Sequence, residues 1–172
     1  MEAQAKRSAG AVSMPGSTTE RRIVQLLNDY YESNEIEAYA HRLKQGGYAP
    51  QHIDVLSLSC THKYYLGVEA KSAMKEDING RPFTLLYYSR YFVTAKDGTH
   101  QVTRTAEYLN KCGLNGYLAF ELRAGSGRKN HIYWVPFEEV VLNYNAGETG
   151  MTLEQIKEYP DVLKVGVEGV LC

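Results

Sequence analysis

The chain has 172 residues, of which 44% are hydrophobic and 23% charged, and its formal net charge is −1. This composition is typical of a soluble globular protein, and the length suits one domain with loose ends. Because the net charge is close to zero, the overall charge does not indicate nucleic-acid binding, and any such contact requires a local basic patch.

The cysteines and the apolar segments exclude several further classes of protein. The three cysteines are scattered and form no CxxC pair, which argues against a disulfide framework or a structural zinc site and favours a reducing compartment. No apolar run follows Lys6 and Arg7, and no stretch approaches membrane-spanning length. We therefore expect a cytoplasmic protein without a signal peptide or a membrane segment.

The first predicted element is a helix that follows a small, polar, Gly/Ala/Ser-rich segment. Residues 1–16 are predicted to be disordered, and the helix runs from Ser17 to about Ser33. Glu20 falls on the apolar side of this helix, where an acid is unusual. Two interpretations stay open: Glu20 closes a capping box with Ser17, or it has a buried functional role.

A β-hairpin is predicted over residues 52–71. If the hairpin is symmetric about its polar turn, Asp54 lies directly opposite Glu69, and Lys71 lies two residues along on the same face. Opposed residues have Cβ atoms about 5 Å apart, so two carboxylates there repel unless a positive charge lies beside them. Either Lys71 or a hard divalent cation can supply that charge. The alternative is an exposed Glu69–Lys71 pair of little energetic weight.

The remaining pattern completes a mixed arrangement of helices and strands. Residues 83–93 are apolar and aromatic without a clear period, and they could form a strand, a helix or an interaction surface. The order of elements predicts an α/β (α+β) domain in which helices flank a central mixed sheet of about five strands. The predicted elements are a helix at 17–33, strands at 36–43, 52–57 and 65–71, a helix at 100–112, strands at 117–123 and 132–135, a short element at 137–142 and a short helix at 152–157.

Asp54 followed by Glu69-Ala70-Lys71, with Glu20 on a preceding helix, resembles the active-site motif of the PD-(D/E)xK nuclease superfamily. Within that superfamily the chain is similar to the archaeal-type Holliday junction resolvases. The later strands around 118–122 and 133–136 also fit this resemblance. It implies a restriction-endonuclease-like core.

The resemblance divides the chain into a nuclease-like domain at 17–144, with an insertion at about 73–99, and a C-terminal extension at 145–172. Three features depart from the compact resolvases. Ile53, not proline, precedes Asp54, the insertion is longer than those enzymes need, and the extension has no recognised counterpart in them.

The resemblance further implies a Mg²⁺-dependent endodeoxyribonuclease, with Mn²⁺ as a substitute. Asp54 and Glu69 would bind one or two ions, the backbone carbonyl of Ala70 would complete the shell, and Glu20 would hold a water or a second ion. Lys71 would orient the attacking water or contact the phosphate.

Branched double-stranded DNA is the implied partner, and symmetric cleavage of a four-way junction implies a homodimer with two active sites. Two alternatives stay open, namely a restriction-type or phage endonuclease of the same fold and a non-catalytic DNA-binding or assembly module. Five basic residues are candidate phosphate contacts, although each could be a solvated surface charge: Arg21, Arg42, Lys44, Lys75 and Arg104.

Overall fold

A computed structural model describes residues 15–43, 51–125 and 127–159. Most of the predicted disordered segment, the connection at 45–50 and the last part of the predicted extension therefore lie outside the described residues. In chain order the elements are α1 (Pro15–Ser33), β1 (Ala38–Arg42), β2 (Val55–Ser59), β3 (Leu66–Met74), β4 (Leu85–Tyr87), α2 (Tyr88–Tyr91), α3 (Gln101–Cys112), β5 (Asn115–Arg123), β6 (His131–Pro136), α4 (Phe137–Asn145), β7 (Gly150–Thr152) and α5 (Leu153–Glu158).

The centre of the fold is a five-stranded sheet in the order β1-β2-β3-β5-β6. Strands β3 and β5 pair in parallel over nine residues, and the other neighbouring strands pair antiparallel. The predicted α/β class with a mixed central sheet of about five strands flanked by helices is therefore confirmed. Because β3 and β5 are parallel, their carboxyl ends meet at the same edge of the sheet.

The two faces of the sheet carry separate apolar cores. Alternate residues of β3, such as Leu66 and Val68, face α1 and pack against its buried Ile23 and Leu27. The opposite face is covered by α3 and α4, whose apolar side chains join a second cluster. Each fully buried aliphatic side chain contributes about 1.5–3 kcal/mol, so both layers are substantially stabilised.

The predicted insertion and the start of the predicted C-terminal extension form one small structure. β4 lies in the insertion and pairs antiparallel with β7 in the extension, and α2 follows β4 directly, so the undecided stretch at 83–93 contains a strand and a helical turn. Buried Leu86 and Met151 from these strands join the α3–α4 core. None of the helices in the described part of the chain has the length and apolarity needed to cross a bilayer.

Gly67 on β3 sets how closely α3 approaches the sheet. A Cβ atom at this position would lie 2.4 Å from Leu109 Cδ2 and 3.2 Å from Leu114 Cδ1. The absence of a side chain therefore lets α3 pack against β3, which places Gln101 at the start of α3 near the carboxyl half of that strand.

We expect Gly67→Ala to lower the free energy of unfolding by about 1–3 kcal/mol, because the added methyl group overpacks the contact with Leu109. Chemical denaturation measures this change. In a Leu109→Ala background the same substitution should cost less, since its closest neighbour has been removed. Equal costs in the two backgrounds would show that this contact does not determine the approach of α3.

Candidate active site at the carboxyl edge of the sheet

The β2–β3 hairpin has the register predicted from the sequence. Val55 pairs with Val68 and Leu56 pairs with Gly67, and the ladder ends at the Val55–Val68 pair. Asp54 lies just before β2, and its backbone N–H bonds to the carbonyl of Val68 and not to that of Glu69. The connection between the strands contains a short 3-10 helix in place of a simple turn.

Asp54 is fixed by hydrogen bonds from both sides. Its backbone N–H donates to the carbonyl of Val68 at 2.9 Å, and its Oδ2 accepts from the backbone N–H of Ala70 at 2.8 Å. Oδ1 accepts from Gln51 Nε2 at 2.8 Å. Burial raises the pKa of Asp54, against the opposing effects of the Ala70 hydrogen bond and the charge of Lys71. The side chain is thereby held against β3 next to Glu69.

Glu69 is a buried carboxylate with two close donors. Its side chain is 3% exposed, and Oε1 accepts from Lys71 Nζ at 2.6 Å and from Gln101 Nε2 at 2.7 Å. Burial raises the pKa of Glu69 to about 7; Lys71 acts to lower it and the charge of Asp54 to raise it further. Near neutral pH the site therefore holds negative charge that the protein compensates incompletely.

Lys71 lies between Glu69 and the residues of the insertion. Its Nζ lies 5.0 Å from the centre of the Phe92 ring and 3.4 Å from Gln101 Oε1. That Gln101 oxygen also accepts from the backbone N–H of Val93 at 3.1 Å. Gln101 therefore joins Glu69, Lys71 and the insertion through one amide.

Gln101 and Gln51 were not predicted as site residues. The sequence offers one weak signal for Gln101, namely a polar residue in the first turn of a predicted helix. It offers none for Gln51, which follows the connection at 45–50. Their positions become evident only once the sheet brings α3 and the start of β2 together.

Glu20 lies beside the carboxylate pair but is engaged by an arginine. Its Oε2 accepts from Arg42 Nε at 2.7 Å, and Arg42 Nη2 completes the ion pair. The charges of Glu20 and Arg42 act in opposite directions on the pKa of Asp54, which they raise and lower respectively. Since α1 begins at Pro15, Ser17 lies within the helix and not at the N-cap position that a capping box requires.

Three of the other predicted phosphate contacts lie in the described part of the chain. Arg21 is exposed on α1, and Lys75 is exposed just beyond β3. Arg104 is half-buried, with Nη2 3.5 Å from the carbonyl of Val93. Lys44 lies outside the described residues.

The carboxylate oxygens of Asp54 and Glu69 are ligands of the kind that a hard divalent cation prefers. Within the described residues, no three His, Cys, Asp or Glu side chains form a group that could hold a metal, so Asp54 and Glu69 stand as a pair. Mg²⁺ commonly binds one or two carboxylates and retains several waters. Each carboxylate has about four lone-pair positions, of which the hydrogen bonds described above use two. The raised pKa values of both groups reflect charge that a cation would stabilise.

Comparisons with known proteins find likeness in structure but not in sequence. No protein-family model matches the chain, and no curated protein matches it in sequence. The fold is similar to that of Archaeoglobus fulgidus Hjc, described as a Holliday junction resolvase from an archaeal hyperthermophile, with a TM-score of 0.45 and 18% sequence identity. The likeness covers 72% of this chain and 78% of the archaeal chain.

Proposed function

We propose that the chain is a Mg²⁺-dependent endodeoxyribonuclease that cleaves branched DNA. The observation that carries the proposal is the meeting of Asp54, Glu69 and Lys71 at one sheet edge, where the buried Glu69 carboxylate lies 2.6 Å from Lys71 Nζ. An acid pair beside a lysine is the combination that metal-assisted hydrolysis of a phosphodiester uses.

Each residue of the site has a separate task in this proposal. Bound Mg²⁺ would neutralise phosphate charge and favour formation of the nucleophile. Asp54 and Glu69 would hold the ion, while the Ala70 N–H fixes the orientation of Asp54. Gln101 keeps Glu69 in place through Oε1. Lys71 would orient the attacking water or contact the phosphate once the charge of Glu69 is shared with the ion.

The electrostatics of this edge suit a phosphate backbone. Gln101 is the first residue of α3 and its side chain donates to Glu69, so the N-terminus of this helix, with its partial positive charge, lies beside the site. Arg42 neutralises Glu20, which removes a negative charge that would repel phosphate. The preference for four-way junctions, the homodimer that would place two such sites on one junction, and the roles of the Ala70 carbonyl and Glu20 are parts of the same proposal.

A cleavage panel tests the proposal directly. Synthetic four-way junction, flap, linear duplex and single-stranded DNA are incubated with the protein and Mg²⁺. We expect paired nicks in the junction. Cutting of linear duplex at a defined sequence would instead favour a restriction-type or phage endonuclease. If the protein cleaves none of these substrates and binds neither Mg²⁺ nor Mn²⁺, the result would favour a non-catalytic DNA-binding or assembly module.

We expect Asp54→Asn and Glu69→Gln each to reduce cleavage about 100-fold or more, because each removes one anionic ligand, while DNA binding is retained. Gel-based cleavage and fluorescence anisotropy measure the two properties. Glu107→Gln, an exposed carboxylate on α3, is the matched control and should cleave as the wild type does. Full activity in either site variant would contradict the assignment of these ligands.

The metal-free protein should lose stability as the pH rises from about 5 to about 8. Glu69 has a folded-state pKa of about 7 against an ordinary value of 4.5, so the folded protein binds a proton that the unfolded chain has released, and this group lowers the free energy of unfolding by up to about 3 kcal/mol across that interval. Thermal denaturation at several pH values measures the trend.

Saturating Mg²⁺ should reduce this loss of stability, since the ion favours the charged carboxylate. Glu69→Gln should show a weaker pH dependence and a smaller effect of Mg²⁺. A pH dependence identical in the wild type and in Glu69→Gln would contradict the raised pKa of Glu69.

A further inference from the structure

We propose that the β5–β6 turn is a second DNA-contacting element, in which Arg128 and Lys129 bind backbone phosphates beyond the site of cleavage. This inference rests on the proposed function for the identity of the ligand as DNA. Neither residue belongs to the predicted phosphate contacts or to the carboxylate site.

The topology places this turn at the same edge of the sheet as the candidate active site. Lys71 on β3 is in register with Phe120 on β5, and Arg123, the last residue of β5, lies three residues further along. Three strand residues span about 10 Å. The turn therefore follows the carboxyl end of β5. It lies beyond the site in the direction in which both β3 and β5 run.

A buried carboxylate ties the base of the turn to α1. Glu121 is 3% exposed, and its oxygens accept from Thr19 Oγ1 at 2.5 Å, from Arg22 Nη1 at 2.8 Å and from Asn130 Nδ2 at 3.0 Å. Burial alone would raise the pKa of Glu121, but these three hydrogen bonds and the charge of Arg22 outweigh it and lower the pKa. Because Glu121 is ionised and neutralised by Arg22, it does not offset the charge of the turn.

The same network closes the turn on itself. Asn130 Oδ1 accepts from the backbone N–H of Ala124 at 3.1 Å, which joins the two ends of the turn. The carbonyl of Asn130 accepts from Arg22 Nη2 at 3.3 Å. A base fixed in this way limits the entropy that the turn loses on binding, and preorganisation of this kind increases affinity.

The arm of the turn that leads into β6 carries two positive charges. Arg128 and Lys129 are both exposed, and across residues 15–43, 51–125 and 127–159 no carboxylate lies within ion-pair distance of either one. Gly125 and Gly127 adopt φ of 93° and 73° with open space where a Cβ would be. Because Gly127, directly before Arg128, has no side chain, the two cations can approach a phosphate backbone closely.

A solvated turn is the ordinary explanation for two exposed basic residues. Here the hydrogen bonds of Glu121 and Asn130 hold the base of the turn in one position, which favours a turn that presents its two cations to a ligand. DNA is favoured over an acidic protein partner because the turn shares its edge with the carboxylate–lysine site.

The test uses the full chain carrying Glu69→Gln, which should bind DNA without cutting it. The affinity for a labelled four-way junction and for a linear duplex is measured by anisotropy at several NaCl concentrations. Adding Arg128→Ala and Lys129→Ala should weaken binding about tenfold or more. It should also reduce the slope of log K against log salt concentration by nearly 2, since each phosphate contact contributes about 0.9.

The matched control carries Lys63→Ala and Lys111→Ala in the same Glu69→Gln background. Lys63 lies between β2 and β3, and Lys111 lies in the last turn of α3, both at the opposite edge of the sheet. The same loss of two charges there should change the affinity and the salt dependence much less. Asn130→Ala should weaken binding with little change in slope, because it loosens the turn without removing a charge. Thermal denaturation verifies that each variant is folded.

The outcomes separate this inference from the proposed function. Equal effects of the two double variants, or no effect of either, would overturn the role of the turn and leave the nuclease proposal intact. Turn-dependent binding by a wild-type protein that cuts no DNA would support the turn and overturn the nuclease. Binding of an acidic peptide but of no DNA would overturn both.

Discussion

The candidate site depends on the burial of the Glu69 carboxylate inside the sheet. A carboxylate in this position costs free energy unless positive charge and donors accompany it. Lys71 and Gln101 meet that need only in part, because burial still raises the pKa of Glu69 to about 7. The sheet thus holds a carboxylate whose charged form is disfavoured, and a cation bound beside it, as proposed above, would stabilise that form. The packing of α3 against Gly67 and the parallel pairing of β3 with β5 both serve to build this region.

Much of the fold could be predicted because its patterns are local. The alternation of apolar residues in β3 predicts one buried face, which the structure packs against α1, and the period of α3 with Gly113 after it predicts that helix and its end. The register of β2 against β3 followed from the symmetry of the hairpin and is confirmed at the Val55–Val68 and Leu56–Gly67 pairs, although a short 3-10 helix replaces the simple turn. The direct pairing of Asp54 with Glu69 stays a prediction, because the ladder ends one residue before Asp54. The symmetry of the hairpin was sufficient to predict its register, because a strand with one buried face cannot shift by one residue without exposing its apolar side chains.

Other features could not be predicted because they arise from contacts between distant segments. The engagement of Glu20 by Arg42 requires α1 to pass over the end of β1, and the roles of Gln51 and Gln101 require β2, β3 and α3 to meet. The stretch at 83–93 has no clear period because it contains a three-residue strand and a single helical turn, each too short to establish one.

The pairing of β4 with β7 links the two segments that the sequence suggested were separate additions to the core. Leu85 and Thr152 are partners across 67 residues of chain. Closing so long a loop delays the contact in folding. During synthesis the residues of β7 also emerge after those of every other strand in the described part of the chain. Phe92 and the backbone of Val93 follow β4 and α2 and form one wall around Lys71 and Gln101. The surroundings of Lys71 would therefore form late, after the residues of β7 have been synthesised and have paired with β4.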